Sequence, residues 1–218
     1  MDGIKNFFSD FNIDPVKFAK WGIKNTKFPD PGISKKVWLS LCKEIEREEK
    51  PVYIREYGNK IVKQEAYLEF LNKVIPNANI DYDKRNNVRP RIYFDQALIV
   101  NRNNFKNYTI THIWGKTKNP YAFNAPWNMA YMPGIVAPFT DHMGSGKIQV
   151  SFSKIFKAKA YEKHKESIEL FNKKMNELKP KIKKAIAAFD KNPQLAPRDI
   201  IDLKKRVEEN FSPITLEG

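Results

Sequence analysis

The apolar positions in the first third of the chain recur at the spacing of helices. Asp14 followed by Pro15 is a typical helix start, because the aspartate can cap the helix and the proline suits its first position. Ser34 can cap a second helix, which has one apolar and one charged face. The apolar positions of the three predicted helices lie within residues 15–24, 37–45 and 63–75.

Short runs of β-branched and aromatic residues predict strands between these helices. Residues 52–54 and 61–62 flank a Gly-Asn pair and predict a hairpin. Two further strands are predicted at residues 92–94 and 108–114. The mixture of helical and strand-like regions predicts an α+β fold.

The second half of the chain begins with an irregular stretch and then turns helical. Residues 115–146 are rich in Pro, Gly, Asn and aromatic residues and follow no period. Long irregular stretches in compact domains are often where sites lie. A Lys-rich helical segment is predicted over residues 154–189, and a final helix over residues 198–211. His164 is expected on the solvated surface of the first of these.

Composition adds a strong basic character to this pattern. The 218 residues are 41% hydrophobic and 29% charged, as in a globular protein, and the net charge is +14 with a pI near 9.6. A domain this basic repels itself, which favours a polyanionic partner such as nucleic acid. A lysine content raised by the codon usage of an AT-rich genome is the alternative explanation for the net charge. No membrane span or secretory signal is recognised, so a cytoplasmic location is predicted.

Histidine and cysteine are scarce, which limits the candidate chemistry. The single cysteine excludes a disulfide framework and a cysteine-built zinc site. Of the three histidines, His112 ends a strand-like run, and His142 follows Asp141 in the irregular stretch. Asn128 lies between them, sixteen residues after His112. The order His, Asn, His resembles the HNH nuclease family, whose fold is two strands and a helix around one divalent ion.

The resemblance implies a role for each of these residues. His112 would be the general base that activates water, and Asn128 would orient it. His142 would complete the catalytic set as a metal ligand, with Asp141 as a second ligand to one Mg²⁺ (or Mn²⁺) per active site. Thr111 stands where many members place an acidic residue or histidine. The further metal ligand is therefore left open between Asp141, Asp95 and water.

The resemblance also divides the chain into three segments. Residues 80–165 would form the central ββα-metal nuclease core. Residues 1–79 would be a helical region for DNA recognition or dimerisation, and residues 166–218 would be C-terminal helices.

Basic and amide side chains near this core are candidate DNA contacts. Arginine reads guanine and asparagine reads adenine in the major groove, and both also bind phosphates. Polar surface turns are the alternative for the two Asn/Arg-rich stretches. The candidate DNA-binding residues are Arg85, Arg89, Arg91, Arg102, Asn104, Lys116, Lys118 and Lys147.

The function that follows from the resemblance is metal-dependent hydrolysis of DNA phosphodiester bonds. The narrower prediction is a type II restriction endonuclease that cuts double-stranded DNA as a homodimer, with a possible methyltransferase acting on the same site. One alternative is a nonspecific or antiphage HNH nuclease. The other is a basic DNA- or RNA-binding protein without catalysis.

Overall fold

The computed structural model describes residues 2–47, 50–56, 61–84, 88–140, 146–190, 192 and 195–216. Within these ranges the chain is α+β and mainly helical, with two small sheets. The described helices are α1 (Gly3–Asp10), α2 (Pro15–Asn25), α3 (Pro31–Arg47), α4 (Ile61–Val74), α5 (Val88–Ala97), α6 (Pro120–Phe123), α7 (Lys147–Phe189) and α8 (Pro197–Phe211). The described strands are β1 (Val52–Arg55), β2 (Ile80–Asp83), β3 (Tyr108–His112) and β4 (Met129–Pro133).

The helices with clear apolar periodicity are confirmed. Asp14 caps α2, because its Oδ1 accepts the backbone N–H groups of Val16 and Lys17 at 2.8 and 3.1 Å. The second predicted helix is α3, which buries Trp38 and Leu41 on its apolar face but begins at Pro31, so the expected cap at Ser34 is wrong. Residues 61–74 and 197–211 also form helices close to their predicted bounds, as α4 and α8.

The predicted hairpin at residues 52–62 is wrong. β1 pairs with β2 in parallel, from Val52 opposite Ile80 to Arg55 opposite Asp83, and α4 connects the two strands. Residues 61–62 are the first turn of α4, whose apolar side chains are fully buried further along at Tyr67, Phe70, Leu71 and Val74. The helix therefore buries far more apolar surface than a two-residue strand could.

The strand predicted at residues 92–94 is also wrong, because these residues lie inside α5. Phe94 and Ala97 are one helical turn apart and both are fully buried. Phe94 packs with Met129 and Tyr131 of β4 in a small second core. A run of three apolar residues has no measurable period, so packing against β4 decides the conformation.

A large hydrophobic core joins all three segments that the sequence suggested. Trp127 packs against Trp38 of α3 with ring centroids 6.3 Å apart, and against Phe171 of α7 at 5.2 Å. β1 and β2 pair across the boundary at residues 79 and 80, and α7 continues through the boundary at residues 165 and 166. Residues 1–79, 80–165 and 166–218 therefore share one core.

Cys42 is buried within this core on α3. Removal from water raises the pKa of its thiol to about 12, with smaller and opposing effects from Lys174 and Glu46. The thiol is therefore protonated at any physiological pH.

The longest described helix, α7, has 43 residues and leaves helical geometry at His164, where φ is −114° and ψ is 20°. Neither α7 nor any other helix in the described ranges is both long and apolar enough to cross a membrane. His164 is only 1% exposed, so the expectation that it is solvated is wrong. His164 lies between Ala160 and Ile168 in a buried row that begins at Phe156, and successive members of the row are four residues apart. This helical spacing is visible in the sequence.

The His164 imidazole is buried in an uncharged form. Neither ring nitrogen has a hydrogen-bond partner among the described residues, and the ring lies edge-on to Phe28 at 6.5 Å. Burial lowers the pKa of His164 to about 4, and the nearby Lys163 ammonium acts in the same direction while Asp30 opposes it.

The free energy of unfolding is expected to fall as the pH drops from about 6.5 to about 4. Unfolded histidine has a pKa near 6.5, so within this window the unfolded chain binds a proton that folded His164 does not. The stability is therefore complete above the window and is lost as the pH falls through it. This one group accounts for about 3 kcal/mol at most.

Urea unfolding of the wild type and of His164→Met at several pH values measures this contribution. The variant should depend less steeply on pH, since the group that titrates differently in the two states has been removed. Equal pH dependence in the two proteins would contradict the assignment.

Candidate functional site

His112 lies at the end of β3, where the sequence places the candidate base. β3 pairs with β4 in antiparallel register, so that His112 is opposite Met129. The connection between the strands, residues 113–128, carries α6 and a 3₁₀ turn. Another 3₁₀ turn and then α7 follow β4 in the chain. The order of elements is therefore two antiparallel strands followed by a helix.

The His112 ring is held in one tautomer. Its Nε2 lies 2.9 Å from the backbone oxygen of Phe123, and the two rings stack with centroids 5.3 Å apart and planes at 10°. Because a carbonyl oxygen can only accept, Nε2 carries the hydrogen and Nδ1 keeps a lone pair. The His112 side chain is only partly buried and lines the cavity described below, so a small molecule such as water can approach the ring.

The imidazole of His112 is neutral at physiological pH. Burial lowers its pKa to about 4, the hydrogen bond to Phe123 opposes this shift, and the positive charge of Arg55 adds to it. A neutral imidazole whose Nδ1 keeps its lone pair can accept a proton.

Asn128 is fully buried and organises the connection between the strands. Its Nδ2 donates to the backbone oxygens of Gly115 and Ala122, both at 3.0 Å, and its Oδ1 accepts the N–H of Trp114 at 3.0 Å. The expectation that this amide orients the imidazole directly is corrected, because these three backbone groups occupy it. Asn128 instead holds the segment that carries the backbone oxygen of Phe123, which in turn holds His112.

The rest of the connection is fixed to the surrounding helices. Trp38 of α3 donates its indole N–H to the backbone oxygen of Tyr121 at 2.8 Å. The hydroxyl of Tyr67 on α4 donates to the backbone oxygen of Lys118 at 3.1 Å. These bonds tie the connection to α3 and α4, and fixed geometry of this kind is what a preorganised site requires.

His112 opens onto a cavity of about 520 Å³. Among the described residues that line it, Arg55 supplies a positive charge and none is acidic. The backbone N–H of Arg55 donates to the oxygen of Thr117 at 2.9 Å, which brings the end of β1 beside the connection. The lining residues are Arg55, Thr109, Ile110, Thr111, His112, Gly115, Thr117, Gly134, Ala137 and Pro138.

Arg55 was not recognised from the sequence. It ends a four-residue strand, far from His112 along the chain, and only the packing of β1 against the connection brings them together. No motif in the sequence signals this proximity.

The candidate metal ligands Asp141 and His142 lie outside the described residues. The described residues bring no three of His, Cys, Asp and Glu together in a group that could hold a metal ion. Thr140, which precedes Asp141, is buried with its Oγ1 3.4 Å from that of Thr111. Asp95 is paired with Arg102 instead. Its carboxylate accepts a hydrogen bond from Arg102 Nη2 and lies 2.7 Å from Arg102 Nε.

The expectation that Lys116 and Lys118 contact the DNA backbone is corrected. Lys116 Nζ donates to the backbone oxygens of Glu209 and Ser212, at 2.9 and 2.6 Å. Lys118 Nζ donates to the backbone oxygens of Arg55 and Glu56. Burial lowers the pKa of each of these two lysines to about 8. Both ammonium groups therefore bind the protein's own backbone.

The predicted DNA-contacting arginines differ in their surroundings. Arg89 is exposed and lies over the ring of Tyr53 at 4.4 Å from its centroid. Arg91 Nε is 3.6 Å from the Asp95 carboxylate. The same carboxylate also pairs with Nε and Nη2 of Arg102. Arg85 lies outside the described residues.

The two remaining DNA-contact candidates are exposed but lie apart from the cavity lining. Asn104 is in the 3₁₀ turn that precedes β3. Lys147 is the first residue of α7 and lines an apolar groove between α2 and α7. Both side chains are accessible to a ligand, and no contact in the structure assigns them one.

Comparison with known proteins identifies a family that covers most of the chain. A family model described as "Uncharacterised protein PM1201" matches residues 29–216. The chain is 33% identical over 189 residues to the protein "Uncharacterized protein PM1201" of Pasteurella multocida (strain Pm70), and the match covers 86% of each chain. No solved structure matches. Neither name states an activity, so the resemblance to HNH nucleases stays a prediction.

Proposed function

The chain belongs to the family of the uncharacterised protein PM1201, and we propose that it is a metal-dependent DNA endonuclease of the HNH type. The observation that supports this function best is the state of His112. Its imidazole is neutral, its tautomer is fixed by Phe123, and the ring lines a cavity that Arg55 also lines. This is the arrangement that a general base for water needs.

In the proposed reaction, His112 Nδ1 takes one proton from a water molecule in the cavity. The water oxygen forms a bond to phosphorus as the bond between phosphorus and the 3′ oxygen breaks. The departing oxygen then takes a proton from solvent. Phe123 and Asn128 act as positioning residues, because they hold the imidazole and the connection without touching the reacting atoms.

The low pKa of His112 in the free protein is compatible with its role as a base, because the substrate is negatively charged. A pKa near 4 leaves the imidazole neutral but makes it a weak base. A phosphodiester bound beside it brings a negative charge, which offsets the charge of Arg55 and favours the protonated imidazole. Binding of substrate is therefore expected to strengthen the base.

The proposal assigns one Mg²⁺ or Mn²⁺ per site to Asp141 and His142. The described residues do not form a metal site on their own. Such an ion, when bound, would stabilise the negative charge that develops on the phosphate oxygens. The 3.4 Å distance between the Oγ1 atoms of Thr140 and Thr111 supports this assignment, because Thr140 precedes Asp141 and Thr111 precedes His112.

Double-stranded DNA is the proposed substrate, and the net charge of +14 supports a polyanion. We extend the proposal to a type II restriction enzyme that cuts both strands as a homodimer, since one site cuts one strand. A methyltransferase of the same specificity would then accompany it to protect the host DNA.

Incubation of the purified protein with plasmid DNA and Mg²⁺ or Mn²⁺ tests the proposed function. We expect discrete fragments, and we expect EDTA to abolish them. A smear would indicate a nonspecific nuclease instead. Intact DNA that is nevertheless shifted in a gel would overturn the proposal in favour of a noncatalytic binding protein.

A further inference from the structure

We propose that the C-terminal end of α7 is a surface that binds the phosphate backbone of double-stranded DNA. The inference rests on the proposed function, because the DNA held there would be the substrate. It places a contact surface beyond residue 165, where the predicted nuclease core ends. This surface, called here the α7 lysine face, consists of Lys179, Lys181, Lys183 and Lys184.

The α7 lysine face is exposed and carries only positive charge. All four of its side chains are exposed, and residues 178–189 include no aspartate or glutamate. Among the described residues no carboxylate forms an ion pair with any of the four. Lys179 and Lys183 are one helical turn apart, and like charges at this spacing destabilise a helix. A bound polyanion would relieve this repulsion.

The carboxylates around the face do not neutralise it. Lys181 lines a pocket that also includes Glu46 and Glu177. Both of these carboxylates pair with Lys174, at 2.8 and 3.4 Å. Glu208 of α8 lines a groove with two of the other lysines, but within the described part of the chain it forms no ion pair with either. The face therefore keeps its charge available for a ligand.

The chemistry of the face favours nucleic acid over a membrane. The apolar side of this part of α7 is buried in the core, through Leu178, Ile182, Ala185 and Phe189. No large apolar side chain between residues 178 and 189 is exposed. A helix that lies on a lipid surface inserts an apolar face, whereas a DNA backbone needs only cations.

A short path of contacts connects the face to the cavity of the candidate site. Lys179 and Lys183 line a groove between α7 and α8 together with Ser212. The backbone oxygen of Ser212 accepts Lys116 Nζ at 2.6 Å, and the preceding Gly115 lines the cavity. DNA bound along the lysines would therefore lie in the neighbourhood of the proposed reaction.

Fluorescence anisotropy of a labelled DNA duplex, measured in EDTA at several salt concentrations, tests this binding without cleavage. The α7 variant replaces all four lysines by glutamine, whose helix propensity is similar. We expect its affinity near 0.1 M salt to fall about 10-fold or more. The slope of log affinity against log salt should become shallower by about 2–4, since each lost phosphate contact contributes about 0.9.

The matched control loses the same net charge from surface lysines that already pair with acidic residues. It combines Lys35→Gln, Lys73→Gln, Lys159→Gln and Lys165→Gln. Its affinity should stay within about threefold of the wild type, because these charges are locally compensated and screened by salt. Arginine at all four positions of the α7 lysine face should retain binding. Thermal unfolding shows that each variant is folded before it is titrated.

The inference is overturned if the α7 variant binds the duplex as tightly as the wild type, or if the control loses as much affinity. Phosphatidylserine vesicles and duplex RNA are titrated in parallel. If the α7 variant loses binding to one of these but keeps binding to DNA, the face belongs to that partner instead. None of these results depends on cleavage. A failure of the proposed nuclease would appear as intact plasmid with lysine-dependent DNA binding retained.

Discussion

His112→Gln is expected to lower the rate of DNA cleavage by about 10²–10⁴-fold, the usual contribution of a general base. Glutamine has an amide N–H that can donate to the backbone oxygen of Phe123, as Nε2 does now, but it has no basic nitrogen. The loss is therefore chemical rather than structural. His112→Ala, which also removes the stacking on Phe123, should be at least as slow.

Single-turnover cleavage measures this loss, and DNA binding in EDTA should stay close to that of the wild type. His164→Met is the matched control, because it removes the other neutral imidazole, which is only 1% exposed. It should cut at nearly the wild-type rate near neutral pH. Wild-type cleavage by His112→Gln would show that another group activates the water.

Asn128→Ala is expected to give the largest loss of stability, about 3–5 kcal/mol. The change leaves the N–H of Trp114 and the oxygens of Gly115 and Ala122 without their partners inside the protein. Each buried polar group that loses its hydrogen bond costs about 1–3 kcal/mol. Cleavage should also fall, because the same segment carries the backbone oxygen that holds His112.

Urea unfolding measures the loss, and Asn128→Asp separates hydrogen bonding from side-chain volume. Aspartate fills the same space but places a carboxylate against two carbonyl oxygens, so it should destabilise at least as much as alanine. Asn103→Ala, at an exposed position of the Arg102–Asn104 turn, should change stability by less than about 0.5 kcal/mol. If Asn128→Asp were as stable as the wild type, these hydrogen bonds would contribute little to stability.

The parts of the fold that the sequence predicted are those set by local pattern. Asp14 caps its helix through its own neighbours, and β3 ends at His112 within the predicted strand. The partner of β1 is decided by α4, which lies between β1 and β2 and packs into the core. A hairpin inferred from a Gly-Asn pair cannot take that packing into account.

The same division applies to the candidate site. His112 and Asn128 were found because strand ends and their spacing are visible along the chain, and the pairing of His112 with Met129 brings the preceding Asn128 to the same end of the sheet. Arg55 comes from a separate sheet, so only tertiary packing places it in the cavity. Lys116 was predicted to contact DNA because it is basic, but its ammonium group donates a hydrogen bond to the backbone oxygen of Ser212, at the end of α8.

The buried thiol of Cys42 has a practical consequence for work in solution. Alkylating reagents react with accessible thiolate, and Cys42 offers neither access nor the ionised form. A second cysteine introduced at an exposed position would therefore be the one that takes up a fluorophore, a spin label or a crosslinker. The native chain can serve as the background for such labelling without first replacing Cys42.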